Sequence, residues 1–223
     1  MALAAPAPGV DVWTCDLGRS DADVAAMAGV LAGAEIARAA RFGRPELRAR
    51  YIVGRATLRA ILGAALDLPP AEVVIVRGPR GRPLVEGGAL DFNVSHTRGA
   101  AIFGVTRGAR IGVDVEHRDR EVNVDGVARK FMSPREQAML NGLQGEARRH
   151  ALLRLWTCKE AMSKATGDAL SAPFRRLDVA LAPTLALTGG PTPYEPAQWR
   201  LLGVDVPGGY LATVALWHEP ASR

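Results

Sequence analysis

Ile111-Gly112-Val113-Asp114-Val115-Glu116 places two carboxylates two residues apart in a run of β-formers. On a strand that spacing projects Asp114 and Glu116 from one face and turns Val113 and Val115 into a core. Further on, Trp156-Thr157-Cys158-Lys159-Glu160-Ala161-Met162-Ser163-Lys164 is a run of helix formers in which Glu160 and Lys164 stand four apart, on one helix face. Together the two stretches offer three acids and two ammonium groups, a set suited to a divalent cation holding a phosphorylated ligand. Taken singly, each has a plainer meaning. A D-x-E strand is a solvated edge pair, and a Glu–Lys pair at i,i+4 adds a few tenths of a kcal/mol to an exposed helix.

Working outward, the spacing predicts a first strand over 11–16 and an Ala-rich helix over 21–40 capped by Asp21-Ala22-Asp23. Pro45-Glu46-Leu47 opens a second helix running to Leu66, ended by Pro69-Pro70. A short strand over 73–76 leads to a turn at Gly78-Pro79-Arg80-Gly81. Strands over 91–94 and 100–105 flank a Ser95-His96-Thr97-Arg98-Gly99 loop. A second half begins at Arg110 with the Asp114/Glu116 strand and continues through a helix from Val124. It goes on to a capping box at Ser133-Pro134-Arg135-Glu136, the Trp156 helix, a strand over 179–181 and a hairpin turning at Pro207-Gly208-Gly209. Strand, helices and strands thus occur twice, which predicts an α+β fold of two similar subdomains, 1–109 and 110–223.

The 223 residues, 48% hydrophobic but only 5% aromatic, can fill a core mainly with Ala, Leu and Val. The net charge of +5 favours an anionic partner. No block of like charges or aromatic–basic interleaving marks a nucleic-acid module. Cys15 and Cys158 form neither a disulfide framework nor a metal spacing, and Cys158 reads as a packed helix residue. The first residues lack a signal peptide's basic and apolar regions, and the uncharged 179–194 stretch is broken by prolines and glycines. A cytoplasmic protein is expected, with no membrane partner.

The two acid-bearing motifs, with Gly81-Arg82-Pro83 and Phe92-Asn93-Val94-Ser95-His96 in the same order, resemble 4′-phosphopantetheinyl transferases of the surfactin-synthetase-activating type. These enzymes move the phosphopantetheine arm of coenzyme A onto a serine of an acyl or peptidyl carrier protein. The resemblance implies a pseudo-twofold pair of α+β subdomains with the active site in the cleft between them, working as a monomer. It implies Asp114, Glu116 and Glu160 as ligands of magnesium, or of manganese in its place. It assigns phosphate contacts to Lys164, Lys159, Ser95 and His96, and puts Arg82 at the nucleotide end of coenzyme A. Arg38 and Arg41 belong to a basic run that relatives use for the 3′-phosphate, although Glu35 stands where a further cation is usual. Glu160 or Glu136 would take the serine proton. An acidic apo carrier protein is the implied partner, and the charge of +5 suits that encounter.

Two other readings compete. A magnesium-dependent phosphohydrolase would use the same acids and lysines with water as nucleophile, and a basic binding module would have no use for Asp114 or Glu116. A Ser95–His96 nucleophile–base pair is excluded, because adjacent residues do not reach each other in that geometry.

Overall fold

Strand β1 (Val10–Asp16) buries Val10 and Val12 on one face and Cys15 on the other, and helix α1 (Asp21–Ala28) follows, capped by Ser20, whose hydroxyl accepts from the Asp23 amide at 3.2 Å. The computed structural model describes residues 1–78 and 80–219. The expected single helix over 21–40 is two helices: the chain breaks over 29–32, where Gly29 stops α1, and restarts as α2 (Gly33–Ala40). Glu35, at the third position of α2, accepts the Ala32 amide at 3.0 Å. Helix α3 (Pro45–Leu66) starts at its proline and ends at Asp67, which takes a left-handed conformation.

The hairpin β2 (Ile75–Arg77) and β3 (Pro83–Val85) encloses the predicted 78–81 turn, of which Pro79 lies outside the described residues. Strands β4 (Asp91–His96) and β5 (Ala100–Thr106) complete an antiparallel sheet of order β1-β5-β4. Ser95 and His96 therefore belong to β4 and not to the loop.

The second half repeats this plan. Strand β6 (Arg110–His117) leads to α4 (Val124–Phe131), α5 (Pro134–Asn141) and α6 (Gly145–Thr166). The pair β7 (Asp178–Ala180) and β8 (Ala186–Gly189) precedes the hairpin β9 (Trp199–Val206) and β10 (Tyr210–Trp217). The sheet order is β6-β10-β9, again first strand, last strand, penultimate strand. In both halves a 22-residue helix begins 35 positions after the first strand does, Val10 to Pro45 and Arg110 to Gly145. The fold class is α+β.

The halves share a core in which Val10, Val12 and Ile102 meet Ile111, Val113 and Val115. Gly104 permits this approach: a Cβ there would stand 2.7 Å from a Val113 methyl. Beside that core, β4 serves the open edge of β6 with side chains. Asp91 accepts the Ile111 amide at 2.7 Å and Asn93 the Val113 amide at 3.1 Å. Buried edge groups need such partners. Among the described residues no helix is long and apolar enough to cross a membrane.

Candidate active site where α6 crosses β6

Gly112 is what lets α6 approach the acidic strand. A Cβ at this position would lie 1.8 Å from the Ala161 carbonyl oxygen and 2.7 Å from the Ala165 amide nitrogen, so only glycine fits under the helix. The helix buries Leu152, Leu155, Cys158, Ala161, Met162 and Ala165. That face holds it against β6 and β10 and carries Lys164 and Glu160 to the strand acids.

Lys164 Nζ donates to Asp114 Oδ1 at 2.7 Å, to Ser95 Oγ at 2.9 Å and to the Val113 carbonyl at 3.2 Å. Ser95 Oγ donates in turn to Asp114 Oδ1 at 2.8 Å. One residue from each of β4, β6 and α6 thus converges on a single carboxylate oxygen. Thr97, two residues after Ser95, donates to Glu116 Oε2 at 3.3 Å, and Arg120 pairs with Glu116 Oε1. Asp114 and Glu116 are only 5% and 8% exposed, so the acids sit under cover and not at an open cleft.

The acids sense one another. Burial raises the pKa of Glu160, the charges of Asp114 and Glu116 add to the rise, and Lys164 opposes it. Burial likewise raises Glu116, with Arg120 opposing and Asp114 reinforcing. Coupling of this kind marks carboxylates confined to a common low-dielectric region. Asp114 Oδ2 and Glu160 Oε1 are buried with no hydrogen-bond partner among the described residues. Two anionic oxygens left without donors are costly unless a cation meets them, and hard oxygen donors are what a magnesium ion takes. Asp114 and Glu160 therefore fit a divalent cation. Glu116 is held by Arg120 and Thr97 instead, and no three His, Cys, Asp or Glu side chains among the described residues form a ready metal cluster.

A groove of about 810 Å³ lies in the first half, lined by Arg38, Arg41, Arg55 and Arg77 with Phe42 and Tyr51. A second, of about 500 Å³, shares Arg38, Phe42, Tyr51 and Arg55 and reaches His96 and Thr97, neighbours of Ser95. Arg38 stacks over the Tyr51 ring at 5.6 Å. A cationic trough with two aromatic faces thus reaches His96 and Thr97, and Thr97 touches Glu116 on its other side.

A model of the 4'-phosphopantetheinyl transferase superfamily matches residues 110–215, the half that holds Asp114, Glu116, Glu160 and Lys164. The 4'-phosphopantetheinyl transferase HetI of Nostoc sp. is 35% identical over 218 residues, 93% of this chain and 87% of its own length. The chain belongs to the 4'-phosphopantetheinyl transferase superfamily. A 4'-phosphopantetheinyl transferase of Bacillus subtilis is 28% identical over 142 residues, 63% of this chain and 62% of that protein. The transferase AcpT of Salmonella typhimurium is 32% identical over 141 residues, 63% of this chain and 68% of its own.

In this transferase three expected site residues stand elsewhere. Lys159 is 0% exposed and its Nζ is spent on Glu136 at 2.6 Å and on the carbonyls of Phe174 at 2.6 Å, Leu177 at 2.8 Å and Phe131 at 3.2 Å. Five residues along a helix is about 140° of rotation, so Lys159 and Lys164 cannot serve one phosphate from the same face. Glu136, 2% exposed, closes the capping box of α5 by accepting the Ser133 amide at 2.8 Å and accepts the Val179 amide at 2.9 Å. Burial raises its carboxyl pKa against the pull of Lys159, and nothing links it to Asp114 that would make it a base there.

Arg82, 6% exposed, is turned inward onto protein partners. Its guanidinium grips Asp91 through both oxygens, at 2.6 and 2.7 Å. Trp156 packs edge-on against Phe131 with centroids 5.0 Å apart, as a support for the helix.

Sequence reasoning missed Thr97, Arg120, Asp91 and the role of Glu35. Thr97 was detectable, since it directly follows β4 at two residues from Ser95. Glu35 is held by Arg55 at 2.7 Å and Arg59 at 2.6 Å. Burial pushes its pKa up, but Arg59, the Ala32 amide and Arg55 outweigh burial and hold it below the carboxylate range.

Proposed function

We propose that this enzyme transfers the 4′-phosphopantetheine group of coenzyme A to a serine of an acidic apo acyl or peptidyl carrier protein, releasing adenosine 3′,5′-bisphosphate, in the manner of the surfactin-synthetase-activating type. The observation that carries the reading is the convergence of Lys164, Ser95 and Asp114 beside two buried, partnerless carboxylate oxygens. The arginine-lined trough that ends at His96 and Thr97 supports it, because a diphosphate lying there would meet cations and would border Thr97, the partner of Glu116. The division into halves 1–109 and 110–223, related by a pseudo-twofold, accounts for the repeated strand order. The enzyme acts as a cytoplasmic monomer, since the internal pair already builds the site.

The roles follow from charge and reach. Arg38 and Arg41 hold the nucleotide phosphates as solvated cations and His96 faces the diphosphate from the trough, while Ser95, on the other face of β4, acts through Lys164 and Asp114. Lys164 offers a point charge to the bridging oxygen as negative charge develops on the departing bisphosphate, a fixed donor that needs no reorganisation. Glu160 takes the proton of the carrier serine hydroxyl as that oxygen attacks the β-phosphorus and the bisphosphate leaves. Asp114 and Glu160 would hold magnesium, with Glu116, paired to Arg120, as the third acid beside them. When bound, the ion neutralises diphosphate charge and polarises the phosphoryl oxygens.

The test is the mass of an apo carrier protein after incubation with enzyme, coenzyme A and magnesium. Gain of the phosphopantetheine mass is expected. Free phosphopantetheine with an unmodified carrier would mean a hydrolase, and unchanged coenzyme A would mean no chemistry at all.

A further inference from the structure

We infer that Arg82 is a positioning residue that fixes the catalytic lysine from its backbone side, an inference that rests on the transfer activity proposed above. The hairpin β2–β3 delivers Arg82 from the first half into the joint between the halves. Its Nε donates to the carbonyl of Lys164 at 2.9 Å. Its Nη2 donates to the Ile111 carbonyl at 2.6 Å and the Phe92 carbonyl at 3.1 Å, while Nη1 and Nη2 clasp Asp91. Asp91 also accepts the Ile111 amide at 2.7 Å. One buried guanidinium thus ties β4, β6 and α6 together, and its planar fork is what allows three directions at once.

Lys164 sits near the C-terminal end of α6, where helix carbonyls lack intrahelical partners, so Arg82 supplies a donor that the helix needs there. The same lysine is held at both ends. Its carbonyl is fixed by Arg82, and its Nζ meets the Val113 carbonyl and Asp114. On β6 the two contacts fall on alternate residues, Ile111 to Arg82 and Val113 to Lys164, the spacing at which carbonyls face the same edge of a strand. The clasp therefore sets the height of Lys164 above Asp114. An arginine turned inward onto Asp91 and three backbone carbonyls is 6% exposed, whereas Arg38 and Arg41 are exposed in the groove, which separates its role from theirs.

The test compares Arg82→Lys with the parent enzyme in the carrier-modification assay. The lysine keeps the charge and loses the fork, so kcat is expected to fall on the order of 10- to 100-fold while KM for coenzyme A stays within about twofold. The decisive measurement repeats the substitution in a Lys164→Ala background. If Arg82 acts through Lys164, the second substitution adds no more than about a twofold loss. An undiminished fall of kcat there, or a rise of KM for coenzyme A with a lost preference over 3′-dephospho-coenzyme A, would overturn the inference. Should Arg82→Lys fold poorly, Asp91→Asn loosens the same clasp from its other side and carries the same expectations. A parent enzyme with no transfer activity would sink the functional reading instead, which the first lane of the experiment reveals.

Discussion

Replacing Gly112 by alanine tests how closely the site depends on the contact between α6 and β6. The new Cβ would stand 1.8 Å from the Ala161 oxygen, whereas ordinary contact begins at 3.4 Å, so the gap must open by about 1.6 Å (3.4 − 1.8). Both obstructing atoms belong to helix backbone, and no side chain can rotate away. The whole helix has to shift, carrying Glu160 and Lys164 with it. Overpacking of this kind costs about 1–3 kcal/mol, which in a chain of this size lowers Tm by roughly 2–12 °C. A displacement above 1 Å at reacting groups costs on the order of 100-fold in turnover. The groove lined by Arg38, Arg41 and Tyr51 lies in the other half, so KM for coenzyme A is expected to change little. The assay is carrier modification by mass spectrometry beside thermal unfolding by circular dichroism. Gly33→Ala is the control, since a Cβ there meets nothing within 4 Å. If Gly112→Ala melted within a degree of the parent and turned over within a factor of two, the contact could not be what positions the site.

Asp114→Ala removes the acceptor shared by Lys164 and Ser95 and is expected to reduce transfer on the order of 100- to 1,000-fold with the fold retained. Manganese binding by electron spin resonance should weaken in parallel, and unaltered turnover with magnesium would remove Asp114 from the site. Lys159→Met leaves Glu136 buried without its partner, so denaturant unfolding should show a loss of about 3–5 kcal/mol, with the doubly apolar Lys159→Met/Glu136→Leu recovering part of it. A rise in KM for coenzyme A at full stability would instead return Lys159 to phosphate binding. Burial pushes the Cys158 thiol from 9.0 up to about 11. Below pH 9 the thiol is protonated whether the chain is folded or not. Above it the unfolded thiol ionises first, so stability should fall between pH 9 and about 11, by about 3 kcal/mol at the upper end. Cys158→Ser should flatten that slope, and a slope identical to the parent's would show that the thiol is not its source.

Much of the fold was legible because its signals are local. Pro45 at the start of α3, the Ser133–Glu136 capping box, the alternation through 111–116 and the Gly208–Gly209 turn each act within a few residues. The break at 29–32 was harder to see, since an alanine-rich run carries strong helix propensity while Leu31 leaves the helix line to enter the core with Ile52. At the site, the pairing of Glu160 with Lys164 and of Asp114 with Glu116 followed from period alone. Lys159 and Arg82 misled because a basic residue in a motif carries no mark of whether its cation faces water or a cage of carbonyls.

What the chain determined by itself was therefore a matter of periodicity and caps: two α+β halves, an acidic strand, a helix bearing an acid and a lysine on one face, and the family to which that order belongs. Which cations face outward and which are consumed inside the fold was decided only in three dimensions. The physical reason is that hydrogen-bond capacity is finite. Arg82 and Lys159 meet buried carbonyls and carboxylates contributed by other elements, and a cation turned inward to satisfy those groups is not offered to a ligand.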